Sequence, residues 1–134
     1  MQLLVNIDVD DLDKAIEFYS AAFGLRVGRR FGDFGVEMLG SSAPFYLLAK
    51  AAGTVASITT SQRRTYARHW TPVHLDFVVE DIETATQTAI TAGARLEKEI
   101  ETHKWGRIAY MADPFGHGFC LIEFHGRGYD EIAQ

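Results

Sequence analysis

Residues 9–15 read VDDLDKA, and residues 79–85 read VEDIETA. The two segments lie 70 positions apart, with three identical positions and three conservative replacements. Each segment follows an extended apolar stretch and begins a helical pattern. Self-similarity at a fixed offset indicates that the chain consists of two copies of one supersecondary unit.

Each copy begins an amphipathic helix. In the first, apolar residues recur at the spacing of one helix face: Leu12, Ala15, Ile16, Tyr19 and Phe23. Asp11 is placed to cap the start of this helix, and Gly24 to end it in a left-handed conformation. The second helix has a weaker apolar stripe, with Asp81 as the candidate cap and Gly93 at its end.

Strand-like segments surround both helices. They cover residues 2–9, 25–31, 34–39 and 44–49 in the first half, and 72–79, 95–101, 107–112 and 118–125 in the second. The pattern predicts an α+β fold in which two βαβββ modules enclose a cleft between curved mixed sheets. We assign one domain, residues 1–134, with modules 1–49 and 72–125. A polar linker with room for a short helix covers residues 50–71, and a tail covers residues 126–134.

Composition excludes several classes of protein. The hydrophobic fraction is 47% and the net charge is −5, which disfavours nucleic acid and anionic membranes as partners. No apolar run approaches the length of a membrane span, and the first residues do not resemble a signal peptide. The basic residues Arg63, Arg64 and Arg68 are interpreted as a solvated loop. A single cysteine, Cys120, suits a reducing compartment, so we expect a cytoplasmic protein.

Two motifs resemble a known superfamily. Residues 9–25 read VDDLDKAIEFYSAAFGL, and residues 113–123 read DPFGHGFCLIE. Together with the doubled βαβββ pattern, they resemble the vicinal oxygen chelate superfamily of glyoxalases, bleomycin-resistance proteins and extradiol dioxygenases. The resemblance covers residues 3–124 and implies a homodimer. It does not define one activity, because this fold carries isomerases, dioxygenases, thiol transferases and antibiotic-binding proteins.

The resemblance also implies where a metal would bind. Enzymes of the superfamily hold a divalent metal with four side chains, usually His, Gln or Glu, from both modules. The matching positions here hold Leu4, Tyr46, His74 and Cys120. Leucine cannot ligate, neutral tyrosine is a poor ligand, and a His–Cys pair leaves zinc two donors short. We therefore expect no metal or other cofactor, with His74 the only family-type ligand at its position.

Strand alternation predicts a small-molecule site. If His74 faces the cleft, so does Asp76 two positions later, and the repeat places Asn6 on the equivalent face. Trp105 could stack on a flat ligand at the rim or pack at an edge. The predicted ligand-binding side chains are Asn6, Tyr46, His74, Asp76, Trp105 and Cys120.

Structural interpretations compete with these assignments. His74 could simply bond to Asp76 or Tyr46, and Asn6 and Asp76 could bond to each other because a buried carboxylate needs a partner. Cys120 beside an imidazole suggests a nucleophile, but a free cysteine more often behaves as a small buried apolar residue.

Three functional hypotheses follow. The first is a binding protein, similar to the bleomycin-resistance branch, that sequesters a drug or metabolite in a metal-independent cleft. The second is a metal-dependent glyoxalase-like lyase, isomerase or dioxygenase, in which His74 survives as a ligand and an unexpected side chain completes the shell. The third is a structural or regulatory domain without a ligand.

Overall fold

The computed structural model describes residues 1–134, which form two compact units, Met1–Ala67 and Arg68–Gln134. Each unit contains one strand, one helix and then further strands, as the repeat predicts. The α+β class and the two-module pattern are therefore confirmed. The division between units falls inside the predicted linker.

The first unit is a four-stranded mixed sheet with one helix. Its elements are β1 (Val5–Val9), α1 (Leu12–Phe23), β2 (Arg26–Phe31), β3 (Gly35–Leu39) and β4 (Phe45–Ala49). The sheet order is β1-β4-β3-β2, with β1 parallel to β4 and the other pairs antiparallel. Because β1 and β4 are parallel, the helix and two further strands intervene between them.

The second unit repeats this topology. Its elements are β5 (Leu75–Val78), α2 (Ile82–Ala92), β6 (Arg95–Leu96), β7 (Glu101–His103), β8 (Gly106–Ala112) and β9 (Gly118–Phe124). The sheet order is β5-β9-β8-β6, and β7 also pairs with β8. The predicted strand 95–101 is therefore two short strands, β6 and β7. Between them, the Glu97 amide still donates a hydrogen bond to the Tyr110 carbonyl at 2.8 Å.

Both helices begin at the predicted caps. The Asp11 carboxylate accepts a hydrogen bond from the Lys14 amide at 3.0 Å, and Asp81 does the same for the Thr84 amide at 3.0 Å. Gly24 ends α1 at φ 67°, the left-handed conformation that favours glycine. The duplicated motif is thus a duplicated helix start, in which each aspartate satisfies an otherwise unpaired amide.

The cores lie between each helix and one face of its sheet. In α1 the buried residues are Ala15, Phe18 and Tyr19, so the predicted stripe omitted Phe18, which is only 1% exposed. The Phe18 ring packs edge-on against Tyr19 and Phe23, at centroid distances of 5.0 and 5.9 Å. The buried stripe of the second helix consists of Ile82, Thr86 and Ala89. Burial of these stripes supplies the main stabilisation of each unit.

Residues 50–71 contain no helix, although the sequence left room for one. A bridge between Val55 and Arg63 closes a loop instead. The Arg64 guanidinium donates to Asp8 Oδ2 at 2.7 Å and to the Ala56 carbonyl at 3.0 Å. The interpretation of the basic cluster as a solvated loop is therefore wrong for Arg64, whose side chain is largely buried in these contacts.

No helix is both long enough and apolar enough to cross a bilayer.

Candidate functional site in the second unit

The second unit contains a pocket of about 210 Å³. Its lining comes from the segment before β5, the start of β9, the end of β8 and the residue after β6: Arg68, Trp70, Thr71, His74, Glu97, Tyr110, Met111, Gly118, Phe119 and Cys120. Drug-sized ligands occupy pockets of roughly 300–1,000 Å³, so this volume suits a smaller molecule. The lining mixes aromatic rings with a few polar groups, which is typical of small-molecule sites.

One row of side chains crosses the sheet at the pocket. Asp76 on β5 is paired with Cys120 on β9, and Cys120 is paired with Tyr110 on β8. Residues directly opposite on neighbouring strands share a face, so these three side chains lie on the same side of the sheet. The residues on either side of this row point to the opposite face, and Met111, Phe119 and Leu121 among them are buried. At this level of the sheet, alternation thus places three polar side chains on one face and apolar side chains on the other.

His74, Asp76 and Cys120 converge. The His74 Nε2 atom lies 3.2 Å from Asp76 Oδ1. One potential ligand atom from each of the three residues lies within 4.8 Å of the others. The sequence predicted that this strand begins at residue 72, but β5 begins at Leu75. His74 therefore lies just before the strand and not within it. The structure thus places His74 beside Asp76, which is one of the two partners that the sequence suggested for it, and brings the Cys120 thiol close to both.

Cys120 is only 6% exposed, and its environment opposes ionisation. Burial, together with the adjacent Asp76 charge and the thiol's hydrogen bond to that carboxylate, raises the pKa of Cys120 to about 12. The thiolate is the reactive form of cysteine. Without a bound cation, therefore, Cys120 is a protonated thiol at neutral pH, and the geometry does not favour it as a nucleophile.

An Arg–Glu pair forms a second polar feature of the pocket. Arg68 donates to both carboxylate oxygens of Glu97, at 2.8 and 2.9 Å. This contact lowers the pKa of Glu97 and raises that of Arg68. The guanidinium lies against Gly118, since a Cβ atom there would be 2.6 Å from Arg68 Nη2. Sequence reasoning missed this pair because Arg68 was assigned to a solvated loop, and no periodic signal links it to Glu97.

The segment that carries Arg68 and Trp70 is attached to the turn between β8 and β9. The Asp113 carboxylate accepts hydrogen bonds from the Phe115 and His117 amides, at 2.8 and 2.9 Å. His69 Nε2 lies 3.2 Å from His117 Nδ1, and the His69 amide donates to the Gly116 carbonyl at 3.2 Å. The family-like turn therefore holds one wall of the pocket in place.

Trp105 lies away from this pocket. It precedes β8 and bonds through its carbonyl to the His125 amide at 2.9 Å, at the opposite end of the β8–β9 hairpin from Tyr110 and Cys120. Its ring stacks on His103 at 5.2 Å and packs against Tyr129 at 5.2 Å. Trp70, which sequence analysis did not select, is the tryptophan of the pocket and is 82% exposed.

Asn6 and Tyr46 are neighbours in the first unit. Tyr46 on β4 is paired with Asn6 on one side and with Glu37 on the other. The Tyr46 hydroxyl donates to Glu37 Oε1 at 3.1 Å and accepts from Arg29 Nη2 at 3.0 Å. Arg29 also forms an ion pair with Glu37 at 2.6 Å. The hydroxyl of Tyr46 is thus already engaged by two charged neighbours.

Glu37 is the buried member of this network, at 7% exposure. Hydrogen bonds from the Arg29 side chain and amide outweigh the effect of burial and lower the pKa of Glu37 to about 2. The carboxylate is therefore ionised at neutral pH and neutralised by Arg29. Buried carboxylates require such a partner.

The family-type metal set does not match the residues present. Leu4 has no donor atom, and the Tyr46 hydroxyl belongs to the Arg29–Glu37 network. Within the second unit, however, the structure brings Asp76 to the two family positions His74 and Cys120. The sequence offered two possible donors, His74 and Cys120, and the structure adds Asp76 as a third.

Comparisons with known proteins agree with this architecture. A model of the family described as "Glyoxalase-like domain" matches residues 4–122. An uncharacterized protein from Mycobacterium bovis is 32% identical in a 128-residue alignment that covers 84% of this chain and 76% of that protein.

Solved structures share the fold. The genomically encoded fosfomycin resistance protein FosX from Listeria monocytogenes superposes with a TM-score of 0.72 and 16% identity, over 99% of this chain and 98% of that chain. A lactoylglutathione lyase from Agrobacterium tumefaciens gives a TM-score of 0.64 and 18% identity, over 92% of each chain. At these identities the likeness establishes the fold alone.

Proposed function

This chain belongs to the glyoxalase-like domain family of the vicinal oxygen chelate superfamily, and from this premise we propose that it binds a small organic molecule in the pocket of residues 68–120. The observation that carries the proposal is an open pocket lined by both aromatic and polar side chains. Tyr110 and Cys120 line it as register partners on neighbouring strands, and Asp76 is the register partner of Cys120 on the other side.

The pocket's chemistry restricts the ligand. Arg68 and Glu97 largely neutralise each other. Asp76, the register partner of the pocket residue Cys120, supplies a further carboxylate. Trp70 offers an exposed indole face, and His74 offers a polar nitrogen at the rim. These groups favour a compact ligand with a flat or apolar part and a hydrogen-bond donor or a positive charge.

The named neighbours are compatible with either sequestration or catalysis. One is named for fosfomycin resistance and the other for lactoylglutathione lyase activity. We favour binding as the first function, because the family-type metal set lacks donors at Leu4 and has an engaged hydroxyl at Tyr46. The proposed binding concerns the pocket itself and holds whether or not a metal is present.

The two tryptophans provide a matched test of this proposal. Trp105→Phe leaves Trp70 in the pocket as the only indole fluorophore, whereas Trp70→Phe leaves Trp105 at the far end of the hairpin. Small-molecule fragments would be screened with the metal-free full chain, first by thermal shift, because a ligand of the folded state raises its stability.

A pocket ligand is expected to change the emission of the Trp105→Phe protein and not that of the Trp70→Phe protein. It should also bind more weakly to Arg68→Ala and His74→Ala. The proposal fails if the screen finds no ligand, or if the ligands found retain their affinity in both pocket variants.

A further inference from the structure

We propose that His74, Asp76 and Cys120 form a binding site for a divalent transition-metal ion of the zinc type, built entirely within the second unit. The site differs from the family's four-ligand set, which draws on both modules, because Asp76 supplies a donor that the family positions do not include. It also goes beyond the proposed organic ligand, since it can be tested with the metal alone.

Spacing is the first argument for this site. Zinc binds sulfur at about 2.3 Å and nitrogen or oxygen at about 2.0–2.2 Å, so tetrahedral donors lie roughly 3.3–3.7 Å apart. His74 Nε2 and Asp76 Oδ1 are already 3.2 Å apart. All three donor atoms lie within 4.8 Å of one another, so the cluster must contract by no more than roughly 1–1.5 Å.

The position of the donors in the sheet explains why they are held together. Asp76 and Cys120 are register partners on adjacent parallel strands, and His74 lies two residues before Asp76. Strand pairing therefore holds the backbones of Asp76 and Cys120 together, and His74 directly precedes the first paired residue of β5. Donors carried on paired strands keep their geometry better than donors carried on loops.

Donor chemistry selects the type of metal. Calcium and magnesium prefer shells made of oxygen, whereas thiolate and imidazole suit zinc and its neighbours in the transition series. On binding, the metal replaces the thiol proton of Cys120, and this proton leaves to solvent. The resulting thiolate and the Asp76 carboxylate together carry two negative charges, which balance a divalent cation.

The number of protein donors determines whether a bound metal keeps an open coordination position. Structural zinc sites have four protein ligands, whereas three protein ligands leave one position for water or another molecule. His74 and Cys120 both line the pocket, so that open position would be reached from the pocket.

The experiment uses the full chain, stripped of metal with a chelator and checked by circular dichroism. Cobalt(II) is titrated first, because a cobalt–thiolate bond produces charge-transfer absorption in the near ultraviolet, and zinc is then used to displace it. We expect one cobalt per chain, a thiolate band, and loss of that band on addition of zinc.

Three variants assign the ligands. Cys120→Ser should abolish the band, and His74→Gln and Asp76→Asn should each weaken cobalt binding by at least about tenfold, since even outer-shell replacements cost about 10–100-fold. His103→Gln is the matched control, because His103 is an exposed histidine 3.1 Å from a carboxylate, Glu101, without a thiol nearby. It should leave cobalt binding unchanged.

Binding without a thiolate band, or affinity that is unchanged in the Asp76→Asn and His74→Gln proteins, would overturn the assignment. Thermal denaturation of each metal-free variant separates a lost ligand from a lost fold. Failure of this site leaves the organic-ligand proposal intact, because that proposal is tested on metal-free protein with the two tryptophan variants.

Discussion

The guanidinium of Arg68 lies so close to Gly118 that a Cβ atom at position 118 would be 2.6 Å from Arg68 Nη2. Gly118 begins β9, whereas Arg68 belongs to the segment before β5. The absence of a side chain at Gly118 therefore allows Arg68 to reach Glu97 and to form one wall of the pocket.

Gly118→Ala is expected to displace Arg68 and to remove the Arg68–Glu97 pair. The two side chains are about one-third exposed, and a pair of this kind contributes about 0.2–1 kcal/mol to the free energy of unfolding. A double-mutant cycle with Glu97→Gln, followed by urea denaturation, isolates that amount and cancels the chain-entropy gain of replacing glycine. If the two substitutions are additive, Gly118 does not act through the ion pair.

Glu37 should make the protein's stability sensitive to acid. Its folded-state pKa of about 2 lies below the ordinary value of 4.5, so its contribution is present above about pH 4.5 and is lost as the pH falls toward 2. Thermal denaturation between these pH values should show a weaker pH dependence for Glu37→Gln than for the original protein. Glu99→Gln, at an exposed carboxylate outside the network, is the control and should follow the original curve.

The two helix caps share one hydrogen bond and differ in a second. Asp11→Ala and Asp81→Ala each remove a carboxylate that accepts an amide hydrogen bond at 3.0 Å, and Asp81 also accepts one from the Thr84 hydroxyl at 3.0 Å. Each substitution is expected to lower the free energy of unfolding by about 1 kcal/mol in chemical denaturation, with the larger loss for Asp81→Ala. Asp10→Ala, one position before the first cap, should have little effect. An equal loss in all three variants would mean that charge and not capping is responsible.

The C-terminal segment should shield Trp105. Tyr129 lies in a short 3-10 helix, Gly128–Glu131, and its ring packs 5.2 Å from Trp105 and 4.8 Å from Phe124. Tyr129→Ala is expected to expose the indole and shift the emission of a Trp70→Phe background to longer wavelength. In a Trp105→Phe background the same substitution should leave the emission unchanged, because Trp70 lies at the pocket, by the other end of the β8–β9 hairpin. A shift in both backgrounds would indicate general loosening of the unit.

Several features of the fold could be predicted from local sequence. The caps Asp11 and Asp81 act on amides three residues away, and helix periodicity repeats every few residues, so both are visible in a short window. Alternation along a strand likewise predicted that His74 and Asp76 share one face, and in the structure their side chains lie 3.2 Å apart. The strand was predicted to begin at residue 72, whereas β5 begins at Leu75.

Features that join distant segments could not be predicted in this way. Trp70 and Trp105 each follow a polar segment, but of the two only Trp70 lines the pocket. Arg68 lies in a polar stretch without periodicity, and its partner Glu97 is 29 residues away. The partner of a loop residue depends on which strands and turns the folded unit brings next to the loop, and no pattern in the nearby sequence encodes that arrangement.

The sequence by itself therefore determined the repeat, the helix starts and the alternation of strand faces, because each depends on backbone geometry within a few residues. Tertiary structure alone decided that Cys120 meets Asp76, that Gly118 admits Arg68, and that Tyr46 is occupied by Arg29 and Glu37. These contacts depend on strand register and on the path of the chain between strands. A shift of one residue in strand register would turn the side chains that face the pocket to the other face of the sheet. The donors of the candidate metal site therefore come together only when the sheet is assembled.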